Sequence, residues 1–181
     1  AQKKGIHITY MPYIMKALIA ALKEHPNLNS SLDLNFNEIV VKLYYNFGLA
    51  VDTEEGLIVP VLKGVNLKSI EDLAKEISEL AEKTRSRKID LADLRGGTFT
   101  ITNYGSIGTQ FGTPIINYPE GAILGLGRIQ DKAVVKDGKI VVRKMLPLSL
   151  TFDHRIVDVA YAARFLNAFM KYLENPEQLL A

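Results

Sequence analysis

The 181-residue sequence contains no cysteine. That excludes disulfides, thiolate zinc sites and a cysteine nucleophile from this chain, and is compatible with a reducing compartment. Long apolar runs are missing as well. The most apolar stretch, residues 13–22, is interrupted by Lys16 and has about half the length a bilayer requires. Neither sign of charge dominates: 22 basic and 20 acidic residues leave a net charge of +2. Such a balance carries no electrostatic footprint for nucleic acid, and no basic stripe with interleaved aromatics occurs. The densest basic run, Lys83 to Lys88, closes a helical pattern, where cations favour the helix dipole. No secretory signal is visible in residues 1–10. The three histidines, His7, His25 and His154, have no metal-site spacing, so no metal is expected.

Familiar nucleotide and nucleophile motifs are absent too. Gly125-x-Gly127-x-x-Gln130 lacks the third glycine of a dinucleotide fingerprint and leads into a strand pattern rather than a helix. Gly105-Ser106-Ile107-Gly108 has the wrong spacing for a nucleophile elbow. Asp131-Lys132-Ala133 resembles the tripeptide carrying the modified lysine of lipoyl domains, but it stands alone and reads as a hairpin connection.

What is present is the pattern of one globular domain, with 48% apolar and 23% charged residues. Pro12 opens a helix whose Ile14, Leu18, Ala21 and Leu22 share a face, and His25-Pro26 stops it. Residues 27–37, rich in Asn and Ser, read as a loop. Residues 39–51 read as a strand, 52–56 as a turn and 57–62 as its hairpin partner, with Pro60 marking an irregular edge. Ser69-x-x-Asp72 resembles a capping box ahead of a helix over 70–81. Strands follow at 98–102 and 122–129, separated by a glycine-rich loop over 103–119 long enough to be functional or mobile. Lys136-Asp137-Gly138-Lys139 turns a further hairpin. The last helix, from Asp158, is expected to bury Val159, Ala162, Ala163, Leu166, Phe169, Met170 and Leu173. Hairpins with helices at the start, middle and end predict an α+β fold: a two-layer sandwich with a mixed, mainly antiparallel sheet and helices packed on one face.

The chemistry concentrates where the last strand meets the last helix, Phe152-Asp153-His154-Arg155-Ile156-Val157-Asp158. A histidine on a strand end has a rigid mount and an exposed tip. Set between two acids and an arginine, it is a candidate general base. No covalent nucleophile stands beside it, so direct transfer between two bound substrates is the simpler chemistry.

This stretch closely resembles the DHRxxDG signature of the dihydrolipoamide acyltransferases, the E2 cores of 2-oxoacid dehydrogenase complexes. Residues 46–61 (NFGLAVDTEEGLIVPV) are similar to the family's hairpin, and residues 96–105 (GGTFTITNYG) to its GGTFT strand. Lys16-Ala17-Leu18, His25-Pro26 and Asn29 match its first full helix and the turn at the end of that helix. These blocks stand in the family's order and span essentially the whole chain. Chloramphenicol acetyltransferase shares the fold and the HxxxD core, with far less sequence likeness.

The resemblance implies a function. His154 would take the proton of a thiol, that of coenzyme A or of dihydrolipoamide, and the thiolate would attack the other partner's thioester. A thiol with a cysteine-like pKa near 8.5 is mostly protonated at neutral pH, while an ordinary imidazole is mostly free base, so the pairing is apt. Thr102 would hold the oxyanion, Asp158 would brace the loop of His154 by pairing with a cation, and Asp153 and Arg155 would be structural. Asp52, Asn103, Ser106, Gly127 and Arg128 would line the coenzyme A channel. Without the resemblance, Thr102 reads as an ordinary strand residue and Asp158 as a helix cap. The lipoyl group would come on a separate domain.

Family members form homotrimers with His154 of one chain facing Thr102 of the next. They close into cages through apolar C-terminal residues, here Leu179 and Leu180, and work with the E1 and E3 components. The acyl group is expected to be branched-chain or acetyl, and the location cytoplasmic, or the mitochondrial matrix in a eukaryote. Residues 1–181 would be a catalytic domain lacking its start, with lipoyl and subunit-binding domains absent. Val159 departs from the signature's glycine; it excludes a positive φ and adds bulk beside the site. Two other readings remain open: a cage protein with impaired chemistry, and an acetyltransferase acting on a hydroxyl.

Overall fold

The structure, a computed structural model, describes residues 8–179. Helix α1 (Met11–Glu24) carries Pro12 in its first turn, where the missing N–H leaves no gap in the ladder. It buries Ile14, Met15, Leu18, Ala21 and Leu22 and stops before Pro26. Strands β1 (Ser30–Asp33) and β2 (Glu38–Val41) then form an outlying antiparallel hairpin. The expected loop over 27–37 thus contains a four-residue strand. Its Asn and Ser residues have poor strand propensity, but pairing with Ile39–Val41 overrides it.

The expected long strand over 39–51 is broken into β2, β3 (Phe47–Leu49) and β4 (Val51–Thr53). β4 pairs with β5 (Gly56–Ile58), and after Pro60 the chain resumes as β6 (Val61–Leu62) beside β3. Helix α2 (Ile70–Arg85) begins with a complete Ser69–Asp72 capping box. β7 (Phe99–Asn103), β8 (Ala122–Leu126) and β11 (Leu148–Phe152) complete the main sheet, in the order β11-β8-β7-β3-β6. β9 (Gln130–Lys136) and β10 (Lys139–Met145) form a separate hairpin. Asp131-Lys132-Ala133 lies inside β9, with Lys132 opposite Arg143, rather than in a connection. Helix α3 (Val159–Glu174) closes the fold.

Five strand pairings are antiparallel and two parallel, so the expected mixed, mainly antiparallel α+β architecture holds. The parallel pairs, β3–β7 and β7–β8, lie at the centre, so three strands end at the same edge. Alternate residues of these strands, among them Phe47, Phe99, Ile101, Leu124 and Leu126, share one apolar cluster with all three helices. Fully buried Phe165 and Phe169 anchor α3, and the Phe165 ring lies 6.4 Å from Phe99. Full burial of each such ring is worth roughly 1.5–3 kcal/mol. The opposite face of the sheet carries Gly48, Thr100, Ile123 and Gly125, all buried.

The buried stripe of α3 is Ala162, Phe165 and Phe169, flanked by half-buried Leu166 and Leu173. Val159, Ala163 and Met170, expected inside, are exposed. Hydrophobicity alone did not separate the face toward the core from one left open.

Candidate active site

β3, β7 and β8 run parallel and end together at Leu49, Asn103 and Leu126, and a cleft of about 910 Å³ opens beyond those ends. The start of α1, the second half of α2, the β4–β5 hairpin and the turn after β7 wall it. Crevices at the carboxyl ends of parallel strands are common ligand sites, and the volume suits a small-molecule site. Asp52, Thr102, Asn103, Ser106, Gly127 and Arg128 all line it. Six of the eight expected site residues are therefore brought together.

The floor is built by close backbone approach. After Thr102 the chain folds into a short 3-10 turn, Tyr104–Ile107, capped by Asn103 Oδ1 accepting from Ser106 N–H at 3.2 Å. Ser106 Oγ donates back to the Asn103 carbonyl at 2.7 Å. Gly105 presses on Gly127 and Arg128 so closely that a Cβ there would overlap their backbone. Gly127 in turn abuts the Gln110 carbonyl, and its N–H donates to Pro147 O at 2.8 Å. Tyr104 covers Gly125 and donates to Ser149 Oγ at 2.9 Å. The long loop over 103–119 is thus pinned to the end of β8 by glycine contacts.

Among the cleft residues not anticipated as such are Arg85 and Tyr10. Arg85 had read as part of a solvated helix end, and Tyr10 carried no signal. Only the packing of α2 and α1 against the strand ends places them there.

His154 and Asp158 stand apart from this cleft. His154 is exposed in the turn after β11, its ring 5.9 Å from that of Phe152. Asp153 N–H donates to Gly121 O at 2.9 Å, and the Asp153 carboxylate accepts from both the backbone and the guanidinium of Arg155. Hydrogen bonds from the Arg155 side chain are the main cause holding the Asp153 carboxyl below its usual value, although desolvation opposes them. This pair stiffens the turn that presents His154, as the structural roles expected for Asp153 and Arg155 require.

Asp158 accepts from Tyr161 N–H at 2.6 Å as the N-cap of α3. The structure gives it no cation partner among the described residues. Val159 takes the first helical position with its side chain in solvent and without a positive φ. The departure from glycine leaves the local backbone unstrained.

The strand register fixes how far apart the two groups are. Thr102 pairs with Gly125 and Gly125 with Ser149. Phe152 lies three residues beyond Ser149, roughly 10 Å at 3.3 Å per residue, and His154 lies further still. β11 is also two strands from β7, roughly another 10 Å to the side. A base must come within about 3 Å of the proton it moves. Within one chain, His154 and the Thr102 cleft cannot act on the same atoms.

The family model for the 2-oxoacid dehydrogenases acyltransferase catalytic domain matches residues 1–181. The chain belongs to that family. It is 49% identical over 180 residues to the dihydrolipoyllysine-residue acetyltransferase component of the pyruvate dehydrogenase complex of Bacillus subtilis, covering 99% of this chain and 41% of that protein. The chain thus spans about two fifths of the length of that relative. The solved dihydrolipoamide acetyltransferase of Azotobacter vinelandii superposes with a TM-score of 0.94 at 42% identity, covering 99% of this chain and 74% of that one. The cubic core of a pyruvate dehydrogenase multienzyme complex also gives a TM-score of 0.94, at 43% identity with the same coverage. Chloramphenicol acetyltransferase, at 15% identity and a TM-score of 0.57 over 91% of this chain and 78% of its own, shares the fold alone.

Among the described residues, no cluster of acidic, histidine or cysteine side chains could hold a metal ion. No described helix is long and apolar enough to cross a membrane.

Proposed function

We propose that this domain transfers an acetyl group between dihydrolipoamide and coenzyme A, in a site shared by two subunits. The observation that carries the reading is the strand register. It sets His154 and Thr102 far apart at opposite ends of the sheet, which supports a site divided between two copies if the one is the base and the other the oxyanion donor. Two copies arranged head to tail bring the His154 end of one to the Thr102 end of the next, and a ring of three such copies closes as the trimer that the family resemblance implies. His154 takes the thiol proton, and the thiolate attacks the thioester carbonyl. The Thr102 hydroxyl donates to the oxyanion, and collapse of that intermediate expels the second thiolate, which is reprotonated by the imidazolium. Coenzyme A occupies the cleft with Asp52, Asn103, Ser106, Gly127 and Arg128, where exposed Arg85 and Arg128 supply positive charge for its phosphates. The lipoyl group arrives on its own domain from the His154 side. Acetyl is favoured over branched-chain acyl by the names of relatives near half identity.

Trimers then assemble into a cage that engages lipoyl domains and the E1 and E3 components. Leu179 packs partly against the core of its own chain, and Leu180 lies outside the described residues. A role for Leu179 in cage contacts would have to compete with that packing.

The test is transfer from acetyl-CoA to free dihydrolipoamide. His154→Ala should abolish it, and Thr102→Val should lower kcat about a hundred- to a thousandfold, as loss of an oxyanion donor does. Thr102→Ser should retain activity. Undiminished transfer by folded His154→Ala protein would refute the assignment.

A further inference from the structure

One buried acid takes no part in that mechanism. Glu120, in the turn before β8, is 7% exposed. Its Oε2 accepts from Thr100 Oγ1 at 2.6 Å, and its Oε1 from Asn117 Nδ2 at 3.4 Å. Its N–H donates to Asn117 O at 3.0 Å. Gly97 leaves the space the carboxyl occupies, since a Cβ there would overlap Oε1. The hydrogen-bonding partners are neutral, and among the described residues no charged group acts on the carboxyl. Desolvation pushes its pKa up to about 7, against the two side-chain hydrogen bonds. A carboxyl kept in such surroundings is expensive to bury, so its placement calls for an explanation.

Its connections supply one. Thr100 is two residues before Thr102 on β7, and by strand alternation both side chains stand on the same face. On the other side, Gly121 follows Glu120 directly, and its carbonyl holds the Asp153 N–H at 2.9 Å, one residue from His154. Gly121 also sits tightly on the Ser30 carbonyl and Ile156, so this turn has little room to shift.

We propose that Glu120 is a positioning residue whose carboxyl ties the Thr102 strand to the turn supporting the His154 loop, fixing the two half-sites of each subunit relative to one another. The proposal rests on His154 acting as the base and Thr102 as the oxyanion donor. In a closed ring, an error in that spacing enters every site, because each subunit contributes its base to one site and its oxyanion donor to another.

The experiment compares Glu120→Gln, Glu120→Ala and Thr100→Val in the intact assembly. Thr100→Val removes the hydroxyl while keeping the branched strand shape, and it decides the matter if Glu120→Ala does not fold. Small misplacements of reacting groups lower rates by up to about a hundredfold. Thr100→Val and Glu120→Ala should therefore reduce kcat by about tenfold to a hundredfold with the KM for coenzyme A within about twofold. Glu120→Gln, which keeps the shape and a partner for Thr100, should restore at least half of kcat. Hydrogen exchange at the Asp153 amide should quicken by about tenfold in Thr100→Val while core amides of α1 stay protected. Wild-type kcat in Thr100→Val, unchanged exchange at Asp153, or a uniform loss of protection would each overturn the proposal. Were the wild-type assembly to show no transfer, the acyltransferase reading would fail by itself, and the exchange at Asp153 would still decide whether the tie exists.

Discussion

Replacing Glu120 with glutamine should change how stability depends on pH. The carboxyl has an ordinary value of 4.5 and is raised to about 7 in the fold, mainly by desolvation. Between those values the folded state keeps a proton that the unfolded state has released. Stability contributed at this site therefore falls as pH rises from about 4.5 and levels off above about 7. A shift of that size corresponds to about 3 kcal/mol at 1.36 kcal/mol per pH unit. Glutamine has no proton to lose, so the variant lacks this slope. Urea unfolding of both proteins at one protomer concentration, across pH 4 to 8.5, isolates the effect because other titrating groups cancel in the difference. The stability of Glu120→Gln relative to wild type should rise by about 3 kcal/mol from pH 4.5 to pH 8. A flat difference, or one of opposite sign, would refute a carboxyl kept protonated by burial.

Further variants probe the site's construction. Gly105→Ala places a Cβ against the backbone of Gly127 and Arg128; it should cost about 1–3 kcal/mol in urea unfolding and weaken coenzyme A binding in calorimetry. Asp158→Ala should lower stability by about 1 kcal/mol through loss of the α3 cap, while Asp158→Asn, an equally good cap, should match wild type. A large loss of kcat in Asp158→Asn with unchanged stability would show that its charge matters in the assembly, as pairing with a cation requires.

Much of the fold was legible in the sequence because local signals agreed with the global architecture. The Ser69–Asp72 box, the Pro12 start, the Asp137-Gly138 turn and the Asp158 cap all carry short-range chemistry, and all appear as expected. The cleft residues were found through motif resemblance, and the strand ends do bring them together. What was not legible depends on long-range packing. β1 is weak in propensity and exists because β2 pairs with it. Pro60 split a strand into pieces serving two different sheets. Exposed Val159 and Met170 could not be told from core residues by period alone. Glu120 falls between the expected loop over 103–119 and the expected strand over 122–129, with no local signal of burial; only the approach of Gly97 and Thr100 buries it.

The central claim, a site shared between subunits, is tested most directly by complementation. His154→Ala and Thr102→Val proteins are unfolded together, refolded as a mixture, and assayed for acetyl transfer. If each site joins His154 of one subunit to Thr102 of the next, random equal mixing regenerates about one quarter of the sites with both wild-type residues. Activity should then return to about a quarter of that of wild type refolded in parallel. If both groups act within one chain, no mixture contains an intact site, and activity no higher than that of the separate variants would contradict the account.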